Sequence, residues 1–488
     1  MLRKFLSRKR KGNAELIRAT MLVFYSIVLV VIGVSMKYTK VLKNNIDDTI
    51  VSSGLAATLV DQDTYSSEEK MYIDKYDSLR VFKNCMKANL GINEFQKGKT
   101  MDYLLFKKND PILSFNLSKN NVVRMREIFT PELLPYNMQD PDGKQLKDWL
   151  QKRCISQSRP HIDKLYEITG KNSSFELSIS CHCVNLTDCY WIKTEEDPVK
   201  WEDVDFRANG YSESVGNLLL KNEIYSNDFI SPDLTTNGIT EKAWKRINDL
   251  DYLFKLGRAP FFQEPYNEIA CSKVAQCFPV LNAVPYFLGL VGDKPASVCE
   301  NFLKDNQEFV PASYLIPKGH PQEARYIRLT YVCKELGMHN VKEFLDNMIA
   351  FDYIINNTDR HLGNFGFLRN ATTGEYLGPA PIFDNGNSLW FDEPIECNYT
   401  VDNFSKPFCD YHEDQLKLTK KLDNIDFVNL KLMPEIVRAE LLKVCDAKRV
   451  DKIIRTFSNR INSLYEYRER MAVQKKDLFK KYSIEEVR

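Results

Sequence analysis

The sequence predicts an α+β fold of two lobes, a small strand-rich lobe and a larger helical lobe, behind a small α/β accessory domain. Short strand-like runs separated by turn residues dominate residues 229–303, whereas helical spacing of apolar residues dominates residues 304–488. The length of 488 residues is enough for two to four domains, and the 43% of apolar residues can build a large core. The charged, glycine-containing stretch 96–110 predicts a domain boundary.

Composition excludes some classes of function. The 67 basic and 66 acidic residues leave a net charge of +1, which predicts no direct binding to nucleic acid. Most of the 12 cysteines lie in apolar or helix-like runs, which favours free thiols in a reducing compartment. One cluster combines the residue types of metal sites: Cys181, His182, Cys183 and Cys189. Its spacing lacks the usual pairs of a zinc site, and the run 175–184 alternates as a strand does, so we expect thiols on a strand.

The amino-terminal end has the pattern of a membrane anchor. Residues 1–18 are basic, and the 18 residues from 19 to 36 carry no charge, which is the lower end of a bilayer-spanning helix at about 20 residues. A buried core helix or the apolar region of a signal peptide is the alternative, although no small-residue cleavage site follows. The positive-inside rule places the basic end in the cytoplasm and the residues after 36 outside.

A short motif before this apolar run adds a second indication. Residues 11–15 (Lys-Gly-Asn-Ala-Glu) resemble the processing region of type IV prepilin-like proteins, and residues 47–90 are similar to small pseudopilin-like proteins of mobile elements. The resemblance covers residues 10–95 and implies a pilin-like or linker region over 37–100. A gene fusion that joins such a segment to an unrelated protein is the alternative.

Residues 101–228 predict the accessory α/β domain. The runs 103–106 and 112–115 have the pattern of two hairpin strands, and helical runs follow at 146–153 and 160–165. Three side chains are candidates for a binding face: Trp149, Arg153 and Arg159. A tryptophan on a helix is more often part of the core, and both interpretations stay open here.

The strand-rich lobe contains a candidate phosphate-binding loop. Gly238 lies in the run 235–242, where a residue without Cβ would let the backbone approach a phosphate closely. An ordinary hairpin turn fits the same spacing.

Lys255 lies alone in an aromatic-rich strand, residues 251–257, and a helix is expected over 264–278. An ammonium group in such a strand can reach the α- and β-phosphates of a nucleotide. A carboxylate on this helix, Glu268 or Glu264, could pair with Lys255 and hold it in position. A strand-edge lysine that points to water is the alternative.

The helical lobe begins with the best-defined helix. Apolar residues recur at helical spacing over 344–355, and Asn340 with Glu343 has the form of a capping box. Further helices are expected over 413–422, 434–445 and 447–482.

Directly after the first of these helices, Asp359 and Asn364 follow at D-x-x-x-x-N spacing, and Asp384 comes later in an apolar run. Phosphoryl transfer needs a carboxylate near the attacking hydroxyl and Mg²⁺ against the phosphates. Mg²⁺ prefers hard oxygen ligands such as carboxylates and amide oxygens. Asp359 is therefore the candidate base, and Asn364 and Asp384 are candidate Mg²⁺ ligands. Because Asp and Asn are common in turns, ordinary loop residues are the alternative.

The order of these features is more informative than any one of them. A glycine loop, a strand lysine, a helix glutamate, a catalytic loop and a second aspartate follow one another as in a protein-kinase fold. The sequence therefore predicts a bilobal protein-kinase-like fold that uses ATP and Mg²⁺.

The residues 357–365 and 380–384 resemble the catalytic and metal-binding segments of HipA-like serine/threonine kinases, in particular those of Firmicutes. The resemblance implies that Asp359 is the catalytic base and that Asn364 and Asp384 bind Mg²⁺. It extends over about residues 101–470 and implies that Glu268 is the helix glutamate that pairs with Lys255, with Glu264 as the reserve candidate.

The same resemblance reaches the glycine loop. Thr235, Gly238 and Lys242 match a family pattern, S-x-x-G-x-x-x-K, in which the serine is autophosphorylated. Thr235 replaces that serine and is the candidate autophosphorylation site. The family further implies a protein substrate and a toxin role in a toxin–antitoxin pair. A separate partner would supply DNA binding.

Two other function classes stay open. Arg360 and His361 give the loop a shorter resemblance to phosphoinositide kinases, so a phosphotransferase acting on a lipid or small molecule is one alternative. A non-catalytic, membrane- or pilus-associated protein with a kinase-like binding domain is the other. We expect a single-pass membrane protein with its kinase region in the cytoplasm, although the positive-inside rule points the other way.

Overall fold

The computed structural model describes residues 101–118, 122–138, 142–223, 226, 228–316, 321–399 and 403–485. The chain divides into two units, Met1–Lys99 and Thr100–Arg488, and the described residues belong to the second. The predicted membrane anchor at 19–36 and the pilin-like region at 37–100 lie outside the described residues. Among the helices that are described, none combines the length and apolar character needed to cross a membrane.

The first part of the described chain is built on an antiparallel sheet with strand order β3-β2-β1-β4. Its strands are β1 (Met101–Lys107), β2 (Asp110–Leu117), β3 (Val123–Ile128) and β4 (Tyr190–Thr194). The helices of this part are α1 (Gly143–Lys152), α2 (Ile162–Thr169), α3 (Ser174–Ser180), α4 (Trp201–Val204) and α5 (Ser214–Lys221). The predicted hairpin of β1 and β2 is present, with Leu105 paired to Leu113.

All three candidate binding-face residues are buried, and two of them, Trp149 and Arg153, contact each other. Trp149 of α1 is 2% exposed and packs in the core under the first sheet. The Arg153 guanidinium stacks on the Trp149 ring at 4.6 Å and pairs with Asp188 at 2.5 Å. Neither side chain forms an exposed face, because the tryptophan ring is buried in the core and the arginine guanidinium finds its partners in the interior.

The strand predicted over residues 175–184 is wrong, because that segment begins with helix α3. Ser173 caps the helix by accepting a hydrogen bond from the Glu176 backbone N–H at 3.2 Å. This amino-terminal cap signal outweighs the short polar–apolar alternation. Cys181, which follows α3, is a buried free thiol, and burial raises its pKa to about 12.

The second sheet has strand order β5-β6-β8-β7 and is antiparallel throughout. Its strands are β5 (Lys242–Ile247), β6 (Leu250–Leu256), β7 (Phe287–Val291) and β8 (Lys294–Glu300). Helix α6 (Glu264–Val274) packs against this sheet. The predicted helix over 264–278 is thus present but ends earlier, in the 3-10 turn Ala275–Cys277.

The remainder is mostly helical, with one small sheet of order β11-β10-β9. Its strands are β9 (Gln307–Pro311), β10 (Gly366–Asn370) and β11 (Tyr376–Pro379). The helices are α7 (Ala312–Leu315), α8 (Gln322–Glu335), α9 (Val341–Ile355), α10 (His412–Leu416), α11 (Phe427–Leu430), α12 (Met433–Leu441) and α13 (Ala447–Glu485). The described chain is therefore a mixed α+β structure with several sheets, as predicted.

Helix α9 lies at the centre of the largest apolar core. Every residue from 344 to 355 is buried, including Phe351, Ile354 and Ile355. Burial of one such large apolar side chain is worth about 1.5–3 kcal/mol, so the helix is held firmly. Asn356 ends α9 in the left-handed conformation, with φ of 54°, and turns the chain into the next loop.

The capping box predicted at the start of α9 is wrong. Asn340 adopts the left-handed conformation, with φ of 63°, and its side chain makes no cap hydrogen bond. Glu343 instead accepts a hydrogen bond from the Asn424 side chain at 3.0 Å. Packing of the helix in the core replaces the cap as the main source of its stability.

Candidate active site

Candidate residues from the strand-rich part, 229–303, and from the helical part, 304–488, line one cleft of about 1170 Å³. Seven of the predicted site residues line it: Gly238, Lys242, Lys255, Glu268, Asp359, Asn364 and Asp384. They come from the loop before β5, from β5, β6 and α6, and from the loops that follow α9 and β11. The fold therefore brings together residues that are far apart in the sequence.

Lys255 of β6 lies between two carboxylates. Its Nζ is 2.6 Å from Glu268 Oε1 and 2.5 Å from Asp384 Oδ1. Burial lowers the pKa of Lys255, but Asp384 and Glu268 more than compensate and the pKa lies above its ordinary value. Burial raises the pKa of Asp384, whereas Lys255 and Lys242 lower it, and the net pKa lies below its usual range. The lysine and Asp384 are therefore both charged at neutral pH.

Glu268, rather than the reserve candidate Glu264, is the residue in contact with Lys255. Glu268 is 1% exposed, and its Oε2 also accepts a hydrogen bond from the Asn385 N–H at 2.7 Å. One carboxylate thus joins helix α6 to both the strand lysine and the segment after Asp384. Glu264 pairs with Arg258 at 2.9 Å instead.

Asp359 lies across the cleft on the loop after α9. Its backbone N–H donates to Asn357 Oδ1 at 2.9 Å. Its carboxylate is held on both oxygens, since Lys406 Nζ is 2.7 Å from Oδ1 and Asn387 Nδ2 donates to Oδ2 at 3.1 Å. The carboxylate is half-buried and remains open to the cleft.

Sequence reasoning missed the residues that orient Asp359. Asn387 follows Asp384 closely, and a run of amide side chains after a metal-type aspartate is a signal that could have pointed to it. Its Oδ1 accepts from Arg258 Nη2 at 2.8 Å, which ties the loop after β6 to the catalytic loop. Lys406 lies 47 residues after Asp359 in an irregular segment, and no sequence signal pairs the two.

Asn364 has its amide nitrogen already engaged, because Nδ2 donates to the Asp359 carbonyl at 3.0 Å. Because Nδ2 is the donor in this bond, the amide oxygen, Oδ1, is directed away from the Asp359 carbonyl. An amide oxygen and the Asp384 carboxylate are the hard oxygen donors that Mg²⁺ prefers, with phosphates and water completing its shell. The donor set therefore fits Mg²⁺. Within the described residues no group of three or more His, Cys, Asp or Glu side chains could hold a metal alone.

Arg360 joins the two loops that carry these oxygens. Its buried guanidinium pairs with Asp352 of α9 at 3.0 Å and donates to the carbonyl oxygens of Asn364 at 3.0 Å and Phe383 at 2.6 Å. It also bonds the Asn385 side chain. Burial lowers the pKa of Arg360, but Asp352 outweighs this effect and raises it.

Gly238 and Lys242 lie together at the other end of the cleft. Gly238 has φ of 104°, a backbone conformation that is strained for residues with a Cβ, and its Cα lies close to the flexible end of the Lys242 side chain. Burial, together with the nearby charges of Arg159 and Lys255, lowers the pKa of Lys242 to about 7 despite the opposing charge of Asp384. Lys242 is therefore only partly protonated at neutral pH.

Thr235 precedes this loop in the 3-10 turn Pro232–Thr235. Its buried hydroxyl donates to the Val184 carbonyl at 2.7 Å and is close to the Pro232 carbonyl at 3.0 Å. The structure thus brings together the other predicted residues but holds the Thr235 hydroxyl against the Val184 carbonyl. Its autophosphorylation stays a prediction.

No protein-family model matches the chain, and no curated protein matches it. Among solved structures, the proinflammatory kinase CtkA of Helicobacter pylori is 19% identical, with a TM-score of 0.37, and covers 47% of this chain and 95% of its own. HipA of Shewanella oneidensis MR-1, solved with HipB and operator DNA, is 12% identical, with a TM-score of 0.45, covering 75% of this chain and 99% of its own. At such low scores the likeness carries no argument, so function rests on the site.

Proposed function

We propose that this chain is a HipA-like, ATP-dependent protein serine/threonine kinase that transfers the γ-phosphate of ATP to a protein hydroxyl. One observation carries the proposal. Lys255 with its two carboxylate partners and Asp359 with Asn364 line the same cleft. Phosphoryl transfer depends on positioning and charge, and this arrangement supplies both.

In the proposed reaction Lys255 binds the α- and β-phosphates, and Glu268 holds its ammonium group in place. Asp384 and the Asn364 amide oxygen would hold Mg²⁺, which when bound neutralises the phosphate charge. Because Asp384 contacts Lys255 through Oδ1, its other oxygen is the one available to a metal ion.

Asp359 orients the attacking hydroxyl and accepts its proton as the bond to phosphorus forms. Asn387 and Lys406 fix the direction of its carboxylate. This preorganisation lowers the cost of reaching the reactive geometry. Arg360 keeps the catalytic loop and the Asp384 segment in register through its bonds to both.

The proposal is tested by incubating the purified full chain with Mg²⁺ and ATP labelled on the γ-phosphate, alone and with cell lysate. We expect label on protein serine or threonine. The Asp359→Asn variant should transfer about 10²–10³ times more slowly, the usual cost of one transition-state contact. Bound ATP without transfer by the unaltered chain would contradict the kinase proposal. Label on a lipid or small molecule instead would favour the other phosphotransferase class.

A toxin role with a DNA-binding antitoxin partner belongs to the same proposal and is supported by the family resemblance of residues 357–365 and 380–384. Induced expression of the unaltered chain should arrest growth, whereas Asp359→Asn should not. Equal growth of the two strains would contradict the toxin role. Attachment to a membrane through residues 19–36 stays a prediction from the sequence.

A further inference from the structure

Arg159, in the segment before α2, reaches out of the accessory part of the chain into the glycine loop. The side chain is 2% exposed. Its guanidinium donates to the carbonyl oxygens of Thr236 at 2.8 Å, Asn237 at 3.3 Å, Gly238 at 2.9 Å and Lys242 at 3.0 Å. A single planar group thus connects both ends of the loop, which a compact ammonium group could not do.

The direction of these bonds decides where the loop amides point. In a planar trans peptide the C=O and N–H groups point in opposite directions. With the carbonyls of residues 236, 237 and 238 turned toward Arg159, the N–H groups of Asn237, Gly238 and Ile239 lie on the side away from it, where that of Gly238 donates to Asn237 Oδ1 at 2.6 Å. These three residues line the cleft. Successive backbone N–H groups turned to one side form a concave site for anions.

The charges around the loop favour the same kind of ligand. Lys242 Nζ lies close to Gly238, and Lys255 lines the same cleft. Burial lowers the pKa of Arg159 to about 10, which leaves it charged at neutral pH. Arg159 and the protonated form of Lys242 repel each other, whereas Lys255 is paired with Glu268 and Asp384, and a phosphate beside the loop would relieve the repulsion between the first two.

We infer that Arg159 is a positioning residue that holds loop 236–242 in the conformation that binds the phosphates of the nucleotide. The accessory domain thereby becomes part of the nucleotide site, although its side chain acts through the loop and does not itself contact phosphate. This inference rests on the proposed function and assigns to the accessory domain a role in it.

The test compares binding of Mg²⁺–ATP and of adenosine to the full chain by calorimetry. Arg159→Met removes the four hydrogen bonds, and Arg159→Lys keeps the charge but cannot span the carbonyls. Both should weaken ATP binding about tenfold or more, a change of about 1.4 kcal/mol. Adenosine binding should stay unchanged, because adenosine has no phosphate for the loop to bind.

Arg207→Met is the matched control. Arg207 also belongs to the accessory part and donates to backbone carbonyls, those of Gln307 at 2.9 Å and Asp188 at 3.1 Å, but it does not contact the loop. The Arg207→Met variant should have the same ratio of ATP affinity to adenosine affinity as the unaltered chain. A merely structural role for Arg159 would lower both affinities alike.

Unchanged ATP binding in Arg159→Lys and Arg159→Met would overturn the inference, as would an equal loss for ATP and adenosine. If the unaltered chain binds ATP selectively through Arg159 but transfers no phosphate, the kinase proposal fails and the inference stands. If it binds no ATP at all, both are overturned.

Discussion

Two buried arginines hold the two halves of the candidate site, and they do so in different ways. Arg360 bonds Asp352, Asn364 and Phe383, which lie 8, 4 and 23 residues away in the chain. Arg159 bonds the glycine loop, whose carbonyls lie 77 to 83 residues away. The catalytic loop is therefore organised by its own neighbourhood, whereas the glycine loop is organised by another part of the protein.

The electrostatic basis of the two contacts also differs. Arg360 has a buried carboxylate partner, Asp352, and its pKa lies above the ordinary value. Arg159 has backbone carbonyls as its hydrogen-bond partners, and burial lowers its pKa to about 10. A dipole compensates a buried charge less than a full counter-charge does. Arg360 therefore stabilises the fold, whereas Arg159 mainly sets the shape of the glycine loop.

The largest effect on stability should come from breaking the ion pair between Arg360 and Asp352. Arg360→Met leaves the Asp352 carboxylate buried without its counter-charge, which costs about 3–5 kcal/mol of unfolding free energy. Urea denaturation followed by fluorescence measures this loss. Arg159→Met should lose clearly less, because it leaves neutral carbonyls behind.

The double variant Asp352→Asn/Arg360→Met provides the control for this comparison. It removes both charges, so it should recover part of the stability that the single Arg360 variant loses. Equal losses for Arg159→Met and Arg360→Met would show that the two arginines do not differ in the way proposed.

A second, smaller effect concerns pH and Lys242. Its pKa is lowered to about 7 in the free protein, and a bound phosphate would raise it. Binding then takes up a proton, so ATP affinity should be highest below pH 7. It should fall as pH rises above 7 toward the pKa of the complex, by at most about tenfold per pH unit. Calorimetry over pH 6–9 in buffers of different ionisation enthalpy measures both the affinity and the proton uptake.

Lys242→Arg separates this effect from titration of the nucleotide, which is common to both proteins. The guanidinium stays charged throughout the range, so the fall in affinity should be absent. A fall of the same size in the arginine variant would exclude Lys242 as its source.

The smallest effect should come from Lys406, on the catalytic side. The pair with Asp359 is partly exposed, with side-chain exposures of 49% and 33%, and such pairs are worth about 0.2–1 kcal/mol. Lys406→Met should therefore lower kcat by up to about fivefold while the affinity for ATP stays unchanged. Steady-state kinetics with the labelled substrate provides the measurement.

Lys417→Met, which breaks an exposed pair with Asp414, is the control and should leave kcat unchanged. An increase of kcat in Lys406→Met would mean that Lys406 blocks Asp359 and does not orient it.

Features built from residues that are neighbours in the chain were the most predictable from the sequence. Helix α9 and the loop that carries Asp359 and Asn364 were predictable because an apolar helix and polar loop residues stand next to one another. The short alternating run before Cys181 fits a strand or a helix equally well, and the cap at Ser173 decides for helix α3. Asn340 was assigned a capping role that its left-handed backbone does not permit.

The sequence by itself determined the mixed α+β class, the buried helix before the loop of Asp359, and the side chains from which a phosphotransfer site is proposed. These follow from local periodicity and from chemistry that particular side chains carry. Only the tertiary structure decided that Lys406 and Asn387 hold Asp359 and that Arg159 binds the glycine loop. Each of these is a contact between distant parts of the chain. Packing of the core decides which of many equally suitable polar side chains meet, and a single sequence contains no signal for that choice.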